Sequence, residues 1–301
     1  MSIRFDNQVA IVTGAGLGLG RSHALGLAER GAKVVVNDLG DADGNSETAN
    51  AVVAEIRAAG GEAIANGANV ADFDQVQAMV KQAMDTWGRV DILVNNAGIL
   101  RDKSFVKMPL EDFQAVINVH LNGTFNCTKA VWEIMRDQGH GRIVMTSSSS
   151  GLYGNFGQTN YGAAKMAVVG LMNTLVIEGA KYDIRVNTLA PTAGTQMTEG
   201  LIEPAAFDLM TTESVTAGLL ALCAQDAPNR LILCAGAGGY ASAHIYETDG
   251  IYLAPGEQTP ENVMAQLDAI NERSGEQELT AGFKQTFKFV GKAAEALGAK
   301  S

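Results

Sequence analysis

The sequence predicts an α/β fold in which a doubly wound parallel sheet carries helices on both faces. Short apolar runs that suit strands alternate with segments of helical apolar spacing along most of the 301 residues. A glycine-rich turn joins the first apolar run to the first helical segment. Polar or glycine-containing segments follow most of the apolar runs, where the carboxyl ends of parallel strands would bind a ligand.

The order of these patterns defines the expected elements. Strands are expected at 9–12, 33–40, 63–65, 91–94, 141–145, 184–189 and 231–234. Helices are expected at 21–31, 47–59, 73–87, 110–117, 123–135, 161–182 and 215–223. Two further helical patterns follow Leu253, and the second has an apolar stripe from Phe283 to Leu297. We therefore expect one nucleotide-binding domain over 1–254 and a helical extension over 255–301, which packs on the same domain or on a neighbouring subunit.

The turn after the first strand reads Thr13-Gly14-Ala15-Gly16-Leu17-Gly18-Leu19-Gly20. Glycines let backbone N–H groups approach a pyrophosphate, whose charge is stabilised at the N-terminus of the following helix. Because a strand and a helix flank this turn, it predicts a Rossmann-type dinucleotide site rather than an ordinary tight turn. The predicted cofactor contacts here are Gly14, Gly16, Leu17, Gly18, Leu19 and Gly20.

Asp38 stands at the end of the second apolar run. An acidic side chain at this strand end can accept hydrogen bonds from both hydroxyls of an adenosine ribose, and it would repel a 2′-phosphate. Leu17 and Leu39 offer no cation to such a phosphate. The residues therefore predict NAD rather than NADP as the cofactor. The alternative is that Asp38 only starts the polar turn at 40–46.

Tyr161 and Lys165 are four residues apart, which places them on one face of a helix. A phenol has an unperturbed pKa of about 10 and is a poor proton donor or acceptor near neutral pH. An ammonium beside it stabilises the phenolate and lowers that pKa. The four serines at 147–150 offer a hydroxyl that could hydrogen-bond the reacting oxygen. Together with the glycine turn, the pair predicts proton transfer beside a bound dinucleotide.

Composition excludes several function classes. The formal charge of −11 disfavours a nucleic-acid partner, which needs concentrated Lys and Arg. No apolar run approaches the roughly 18 residues of a membrane-spanning helix, so no membrane span is expected. The three cysteines and four histidines have no metal-ligand spacing, so no metal is expected. Buried free thiols favour a reducing compartment.

These motifs together resemble the short-chain dehydrogenase/reductase family over about residues 7–200. Thr13, Gly14, Gly18 and Gly20 match its glycine pattern, and 95–98 match its Asn-Asn-Ala-Gly segment. Ser148 precedes Tyr161 by thirteen residues, which is the family's usual interval for the catalytic serine. The segment 191–195 resembles the family's loop over the nicotinamide amide. Beyond the turn and Asp38, the expected cofactor contacts are Asn69, Val70, Asn96, Ala97, Gly98, Tyr161, Lys165, Pro191, Thr192, Gly194 and Thr195.

The resemblance also implies catalytic roles. Tyr161 would be the general acid/base, Ser148 would orient the substrate oxygen, and Lys165 would hold the nicotinamide ribose and lower the pKa of the tyrosine. His120 stands where the family usually has a catalytic asparagine that helps to hold a water in a proton relay. A backbone carbonyl could still hold this water, and imidazole can also relay protons. The alternative is that His120 only packs at a helix bend.

Several segments narrow the resemblance to the dehydrogenase unit of peroxisomal multifunctional enzyme type 2. They include 36–40, 95–102, 119–121 and 145–165. This resemblance implies NAD-dependent oxidation of (3R)-3-hydroxyacyl-CoA to 3-oxoacyl-CoA. The alternatives are a hydroxysteroid dehydrogenase of the 17β type, a 3-oxoacyl reductase or, remotely, a non-catalytic NAD(H)-sensing scaffold. The expected partners are a small acyl-CoA or steroid-like substrate and further copies of the chain in a homodimer or homotetramer, and a cytoplasmic location is expected.

Overall fold

The computed structural model of the chain describes residues 2–194 and 203–298 and is built around an eight-stranded sheet. The strands are β1 Val9–Thr13, β2 Lys33–Asn37, β3 Ala63–Asn66, β4 Ile92–Asn95, β5 Gly141–Thr146, β6 Ile184–Thr192, β7 Ile232–Gly236 and β8 Gly239–Ala243. Their order in the sheet is β3-β2-β1-β4-β5-β6-β7-β8, and the pairs from β3 to β7 are parallel. This order confirms the predicted doubly wound α/β fold.

The direction in which successive strands are added to the sheet reverses between β1 and β4. Strand β1 pairs with β2 on one side and with β4 on the other, so the two halves of the sheet diverge at this point. Every residue of β1, β4 and β5 is buried, which explains why these strands are continuous apolar runs rather than alternating ones. Open sheets bind ligands at the carboxyl ends of the strands beside such a reversal.

The residues that the structure describes also form twelve α-helices. They are α1 Gly18–Glu29, α2 Glu47–Ala58, α3 Phe73–Trp87, α4 Leu110–Ile117, α5 Gly123–Gln138, α6 Ser149–Tyr153, α7 Thr159–Gly179, α8 Pro204–Phe207, α9 Thr212–Cys223, α10 Pro260–Ala265, α11 Leu267–Ile270 and α12 Gly282–Ala296. The two ends of α3 show why this helix begins and ends where it does. The Asp72 carboxylate accepts from the N–H groups of Asp74 and Gln75, and Gly88 ends the helix with a φ of +74°.

Several elements have no counterpart in the sequence prediction, among them the short helix α8 and the three that follow here. Helix α6 has five residues, which is too few for an apolar period, and its capping serine is hidden in a run of serines. Strand β8 reads Gly-Tyr-Ala-Ser-Ala and is mostly exposed, so it lacks an apolar signal. A π-helical turn at Asn118–Asn122 joins α4 to α5, where two separate helices were expected. One extra residue in a helical turn leaves no pattern in the sequence.

Helix α7 together with the turn after it has the length and hydropathy of a membrane span. The segments that pass this test are Thr159–Tyr182 and Pro204–Cys223. Neither segment is an uninterrupted apolar run, and both pass because mean hydropathy tolerates interspersed polar residues. Core helices pass the same test, and α7 packs against β6 and carries the buried side chains of Asn160 and Lys165. The absence of a membrane span stays a prediction.

The chain divides into two compact units, Met1–Ser242 and Ala243–Ser301. The expected boundary at 254/255 falls inside the second unit. Within this unit, Lys288 and Lys292 of α12 pair with Glu247 at 2.9 Å and with Asp249 at 2.6 Å. The predicted apolar stripe of α12, from Phe283 to Leu297, is largely exposed. What covers the stripe stays a prediction.

Candidate active site

A cavity of about 460 Å³ opens at the carboxyl ends of β1, β2, β4 and β5. It is lined by Gly14, Leu17, Gly18, Leu19, Gly20, Asn37, Asp38, Leu39, Ala68, Asn69, Val70, Asn96, Ala97, Gly98, Ile99, Val119, His120, Thr146, Tyr161, Lys165 and Pro191. The structure therefore brings the glycine turn, the acidic strand end and the Tyr-Lys pair to one space, although the pair lies more than 100 residues beyond the other two in the chain.

The glycines of the turn are required by their backbone conformation and by close contacts. Gly14 and Gly18 have φ values of +60° and +53°, which L side chains rarely adopt. A Cβ built on Gly20 would lie 2.0 Å from the carbonyl oxygen of Gly14. The turn therefore stays open only with glycine, and α1 begins directly on it at Gly18. This arrangement can present backbone N–H groups and a helix N-terminus to a pyrophosphate.

Thr13 and Asn96 tie the glycine turn to the end of β4. The Thr13 hydroxyl accepts from the N–H groups of Asn96 and Ala97, at 3.0 and 3.1 Å. The Asn96 side-chain amide donates to the carbonyl oxygens of Thr13 and Gly14, at 3.0 and 2.9 Å. These four hydrogen bonds fix the two cavity edges relative to each other. The role of Asn96 is thus to hold the site in shape through the backbone.

Asp38 faces the glycine turn from the end of β2. Its Oδ2 accepts a hydrogen bond from the Gly16 N–H at 2.7 Å. A Cβ on Gly16 would lie 2.6 Å from the same oxygen and 2.4 Å from Thr48 Oγ1, so Gly16 must be glycine for the carboxylate to sit here. One carboxylate oxygen is thereby positioned by the protein, and Asp38 lines the cavity.

The end of β3 forms the neighbouring wall through Asn69 and Val70. The side chain of Asn37 donates to Asn66 Oδ1 and to the Ala68 carbonyl, both at 3.0 Å, and so connects β2 to this wall. From α5, Asn126 donates to the Val70 carbonyl at 3.0 Å. The predicted contacts Asn69 and Val70 therefore line the cavity.

Ser148 caps the short helix α6 directly after β5. Its hydroxyl accepts from the Ser150 N–H at 3.1 Å, and its side chain is near enough to Tyr161 to lower the pKa of the phenol. Ser147 points away from the cavity, since its hydroxyl donates to the Lys165 carbonyl at 2.8 Å. Of the four serines, Ser148 thus contacts the tyrosine, as its spacing in the sequence predicts.

Tyr161 and Lys165 lie on one face of α7 and both line the cavity. The Lys165 Nζ lies 5.5 Å from the centroid of the Tyr161 ring and donates to the Thr146 carbonyl at 2.6 Å. Only 3% of Lys165 is exposed. The last residue of β5 therefore anchors the ammonium through its main chain, and two of its three N–H protons remain for other acceptors.

Burial dominates the pKa values of these two side chains. It lowers the pKa of Lys165 to about 7. It raises the pKa of Tyr161, which the hydrogen bond with Ser148 counteracts and the charge of Asp102 reinforces. The sequence predicted that Lys165 would lower the pKa of the tyrosine, and the net direction is the reverse. The reason is that low polarity around both groups penalises phenolate and ammonium alike.

His120 lies on the π-helical turn with its ring at the back of the cavity. Its Nε2 is 2.8 Å from the Ile99 carbonyl oxygen and 3.0 Å from the Ile99 nitrogen. The ring contacts Tyr161 edge to face, with 5.1 Å between centroids. Burial lowers the pKa of His120 to about 3, with a further contribution from Lys165, so the ring is neutral. The structure thus places His120 beside the Tyr-Lys pair.

Three predicted cofactor contacts, Gly16, Thr192 and Gly194, do not line the cavity, and neither does Ser148, which was predicted as a catalytic residue. Gly16 supports Asp38 from behind, and the Gly194 N–H donates to the Met210 carbonyl at 2.6 Å. Pro191 lines the cavity at the end of β6. Thr195 lies outside the described residues.

Six lining residues were not predicted as site residues: Asn37, Leu39, Ala68, Ile99, Val119 and Thr146. Most of them are apolar or contribute main-chain atoms, as Thr146 does through its carbonyl, so residue type gives no signal. Asn37, a polar residue at the end of an apolar run, carried a readable signal. Across residues 2–194 and 203–298, no group of three His, Cys, Asp or Glu side chains could hold a metal ion.

Comparisons with known proteins agree with this geometry. The family model for short chain dehydrogenases matches residues 8–206. Over 228 residues the chain is 52% identical to peroxisomal multifunctional enzyme type 2 of Mus musculus, covering 73% of this chain and 30% of the mouse enzyme. The chain therefore spans about a third of the length of that relative.

Two solved structures resemble the chain. Full-length peroxisomal multifunctional enzyme type 2 from Drosophila melanogaster has a TM-score of 0.82 at 38% identity, covering 98% of this chain and 51% of the other. A 7α-hydroxysteroid dehydrogenase in complex with NADH and 7-oxo glycochenodeoxycholic acid has a TM-score of 0.72 at 31% identity, covering 78% and 95%. Since the family model also matches more than half of its residues, the chain belongs to the short-chain dehydrogenase/reductase family of NAD(P)-dependent enzymes that act on CH–OH groups.

Proposed function

We propose that the chain is an NAD-dependent dehydrogenase that oxidises (3R)-3-hydroxyacyl-CoA thioesters to 3-oxoacyl-CoA. The observation that carries the reaction is the single cavity that contains the glycine turn, Asp38, Tyr161 and Lys165. A dinucleotide laid along this cavity places its adenosine end at Asp38 and its other end at the tyrosine. The similarity to the mouse multifunctional enzyme supports the thioester substrate.

The residues present fit a nicotinamide dinucleotide. A Cβ on Gly14 would lie 2.7 Å from the Ala97 Cα and one on Gly20 would lie 2.0 Å from the Gly14 carbonyl oxygen, so glycine keeps the turn in this shape, and α1 begins on it at Gly18. Lys165 has N–H protons available for the ribose beside the nicotinamide. When bound, the oxidised nicotinamide supplies the hydride acceptor and a positive charge that favours the phenolate form of a neighbouring tyrosine.

The proton chemistry falls to Tyr161, Ser148 and Lys165. Tyr161 as phenolate accepts the proton of the substrate hydroxyl while the hydride leaves the carbon that bears this hydroxyl. In the reverse direction Tyr161 returns the proton to the carbonyl oxygen. Ser148, whose side chain is near enough to Tyr161 to lower the pKa of the phenol, hydrogen-bonds the same substrate oxygen and fixes its distance to the phenol. Lys165 stabilises the phenolate by its charge and position.

Asp38 supports NAD over NADP. Its carboxylate is held at the cavity wall by the Gly16 N–H and lies where an adenosine ribose would present its hydroxyls. A 2′-phosphate at this point would meet a negative charge. The neighbouring lining residues Leu17 and Leu39 carry no compensating cation.

A hydroxysteroid substrate is the second candidate. The similarity to a 7α-hydroxysteroid dehydrogenase, over 78% of this chain at 31% identity, supports it. The lower identity, compared with 52% to the mouse multifunctional enzyme, makes the thioester the first choice. Both candidates use the same proton chemistry, so only substrate turnover separates them.

The test is an NADH-absorbance assay over both enantiomers of 3-hydroxyacyl-CoA at several chain lengths and over steroid alcohols. We expect the highest kcat/KM for a (3R)-thioester with NAD. Tyr161→Phe is the matched control, because it keeps the ring and removes the hydroxyl. It should lower kcat by about 10² or more while NADH binding, measured by fluorescence, is nearly unchanged. Turnover of steroids alone would select the second candidate, and full activity of Tyr161→Phe would refute the mechanism.

Assembly and location are separate proposals. We expect a homodimer or homotetramer, which sedimentation of the purified protein will test. A cytoplasmic location is supported by two buried free cysteines, Cys127 and Cys223, and cell fractionation will test it.

A further inference from the structure

The loop after β4 gathers cations at the edge of the cavity. Ile99 lines the cavity, and Arg101, Lys103 and Lys107 follow it within the next eight residues. All three cations are exposed. The whole chain has 22 Lys and Arg against 33 Asp and Glu, so cations this dense are unusual for it. Such a group attracts an anionic ligand.

Asp112 holds two of these cations side by side. Its Oδ2 lies 2.8 Å from Lys103 Nζ, and its Oδ1 lies 3.7 Å from Arg101 Nε. The side chain of Asp112 is 17% exposed, compared with 56% for Arg101 and 49% for Lys103. Because one carboxylate balances only one of the two charges, the two cations present a net positive charge to solvent and keep N–H donors for a second anion.

Two other acids follow Ile99 in the same stretch of chain. Asp102 accepts from the Gln158 side-chain amide at 2.6 Å. Glu111 lies in the first turn of α4, where the N-terminus of the helix stabilises a negative charge. Among the described residues, the ion pairs of the two cations are with Asp112. Neither of the other acids therefore occupies their donors.

This loop is bonded to the segment that leads to Tyr161. The Lys103 N–H donates to the Gly157 carbonyl at 2.9 Å, and the Asn160 amide donates to the Arg101 carbonyl at 3.0 Å. Both bonds use main-chain atoms of the loop, so they do not depend on the cationic side chains. Gly157 precedes Tyr161 by four residues, which span at most roughly 14 Å. The cations therefore belong to the substrate's end of the cavity.

Phe156 adds an aromatic ring to the turn between α6 and α7. Its side chain is 90% exposed. The turn around it is closed by two bonds, from the Asn155 amide to Gln158 Oε1 at 3.1 Å and from the Gln158 N–H to the Asn155 carbonyl at 3.3 Å. A planar base that stacks on an aromatic side chain removes apolar surface of both from water. An aromatic ring next to two exposed cations is a combination that suits a nucleotide.

We propose that Arg101, Lys103 and Phe156 bind the nucleotide moiety of coenzyme A, with the two cations on its phosphates and the aromatic ring stacked on its adenine. The proposal rests on the proposed oxidation of a 3-hydroxyacyl-CoA. The adenosine of the dinucleotide is assigned to Asp38 at the end of β2, so the two nucleotides occupy different sites. With the hydroxyl carbon at Tyr161, the extended pantetheine arm bridges the distance to the cations. The three residues act on substrate binding and not on the chemical step.

Two thioesters of the same (3R)-3-hydroxyacyl group test this assignment, because the CoA thioester carries the nucleotide and the N-acetylcysteamine thioester lacks it. We expect Arg101→Gln combined with Lys103→Gln to raise KM for the CoA thioester about tenfold with little change in kcat, since two charge-assisted bonds at an exposed site are lost. The same protein should change KM for the truncated thioester by less than about twofold. Phe156→Ala should raise KM for the CoA thioester about fivefold through lost stacking.

Lys81→Gln is the matched control for the double substitution. Lys81 is an exposed cation of α3 that pairs with Asp85, and it does not line the cavity. Its replacement should leave KM for both thioesters unchanged. A rise in KM for the CoA thioester equal to that of the double variant would show that the net charge of the protein governs binding, and it would overturn the proposal.

Calorimetry adds a measurement that needs no turnover. Adenosine 3′,5′-bisphosphate should bind the protein saturated with NADH, which fills the site at Asp38, and the double substitution should weaken this binding about tenfold. Equal changes in KM for the two thioesters, or bisphosphate binding that neither the double substitution nor Phe156→Ala alters, would overturn the proposal. A higher kcat/KM for an acyl-carrier-protein thioester than for the CoA thioester would assign the cations to a protein carrier and would overturn it as well. Failure to oxidise either small thioester would instead refute the proposed function, and calorimetry would still decide whether the nucleotide binds.

Discussion

The side-chain amide of Asn160 donates to the main-chain carbonyl of Arg101 at 3.0 Å and thereby joins the start of α7 to the loop after β4. Its Oδ1 accepts from the N–H of Tyr161 at 2.8 Å. The same loop is held by two further bonds, from Gln158 to Asp102 at 2.6 Å and from the Lys103 N–H to the Gly157 carbonyl at 2.9 Å. Three consecutive loop residues are therefore bonded to the segment that carries Tyr161.

Asn160→Asp should weaken this connection. The substitution keeps an acceptor for the Tyr161 N–H but places a carboxylate oxygen against the carbonyls of Arg101 and Asp112. Because Asn160 is fully buried, we expect a loss of about 2–3 kcal/mol in the free energy of unfolding and a lower kcat/KM. Urea unfolding and the NADH assay measure the two effects.

Gln158→Glu is the matched control for this change. It makes the same amide-to-carboxylate substitution against an acceptor, Asp102, but at an exposed position. Its cost should stay within about 1 kcal/mol. Equal destabilisation by both variants would show that the buried amide of Asn160 has no special part in the connection.

Lys165→Met should abolish turnover and change how stability depends on pH. Burial lowers the pKa of Lys165 from 10.5 to about 7, so between these values the unfolded chain binds one more proton than the folded chain. The free energy of unfolding therefore rises with pH in this window, by up to about 1.4 kcal/mol per pH unit, and is lowest below pH 7. The methionine variant lacks this proton and should show a slope smaller by about one proton.

Unfolding of both proteins by urea at pH 7, 8 and 9 tests this difference. Other titrating groups are shared by the two proteins, so the difference in slope isolates the lysine. Parallel pH profiles would mean that the ammonium is not desolvated as its burial indicates.

Much of the site was predictable because its chemistry depends on residue types at fixed spacings. The glycine turn, Asp38 and the Tyr161–Lys165 pair carry their function in side chains, or in the lack of one, and local patterns identify them. The anchor of Lys165 is the Thr146 carbonyl, and the anchor of His120 is the backbone of Ile99. Main-chain atoms have no residue identity, so no sequence pattern marks them.

The fold likewise contains elements that sequence patterns predict and elements that they do not. The strands up to β7 follow from apolar runs, and the capped helix α3 follows from its period and its end signals. The π-helical turn at Asn118–Asn122 does not, because it depends on how two helices meet the sheet. The raised pKa of Tyr161 also escaped prediction, since it results from burial by residues distant in sequence.

Gly98→Ala should distort the back of the site. The new Cβ would lie 2.4 Å from Cε1 of His120, and the ring cannot retreat while Nε2 is bonded to Ile99. We expect a loss of about 1–3 kcal/mol from overpacking and weaker NADH binding, measured by calorimetry and fluorescence.

Gly170→Ala in α7 provides the comparison for that change. Nothing lies within 4 Å of the built Cβ, so the same added methyl group meets no atom. Alanine should raise stability by roughly 0.5–1 kcal/mol through helix propensity. A Gly98→Ala protein as stable as this control, with normal NADH affinity, would contradict the close approach of His120.

Asp38→Asn combined with Leu39→Arg should shift the cofactor preference toward NADP. The first substitution removes the charge that repels a 2′-phosphate, and the second supplies a cation at a lining position that is 68% exposed. A charge-assisted hydrogen bond to phosphate contributes about 1.5–3 kcal/mol, so the ratio of kcat/KM for NADP to that for NAD should rise at least about tenfold.

Asp43→Asn removes the same charge from an exposed turn that does not line the cavity, and it should leave the ratio unchanged. An equal response of both variants would mean that the preference reflects the net charge of the surface, and a ratio unmoved by the double substitution would place the adenosine ribose elsewhere than at the end of β2.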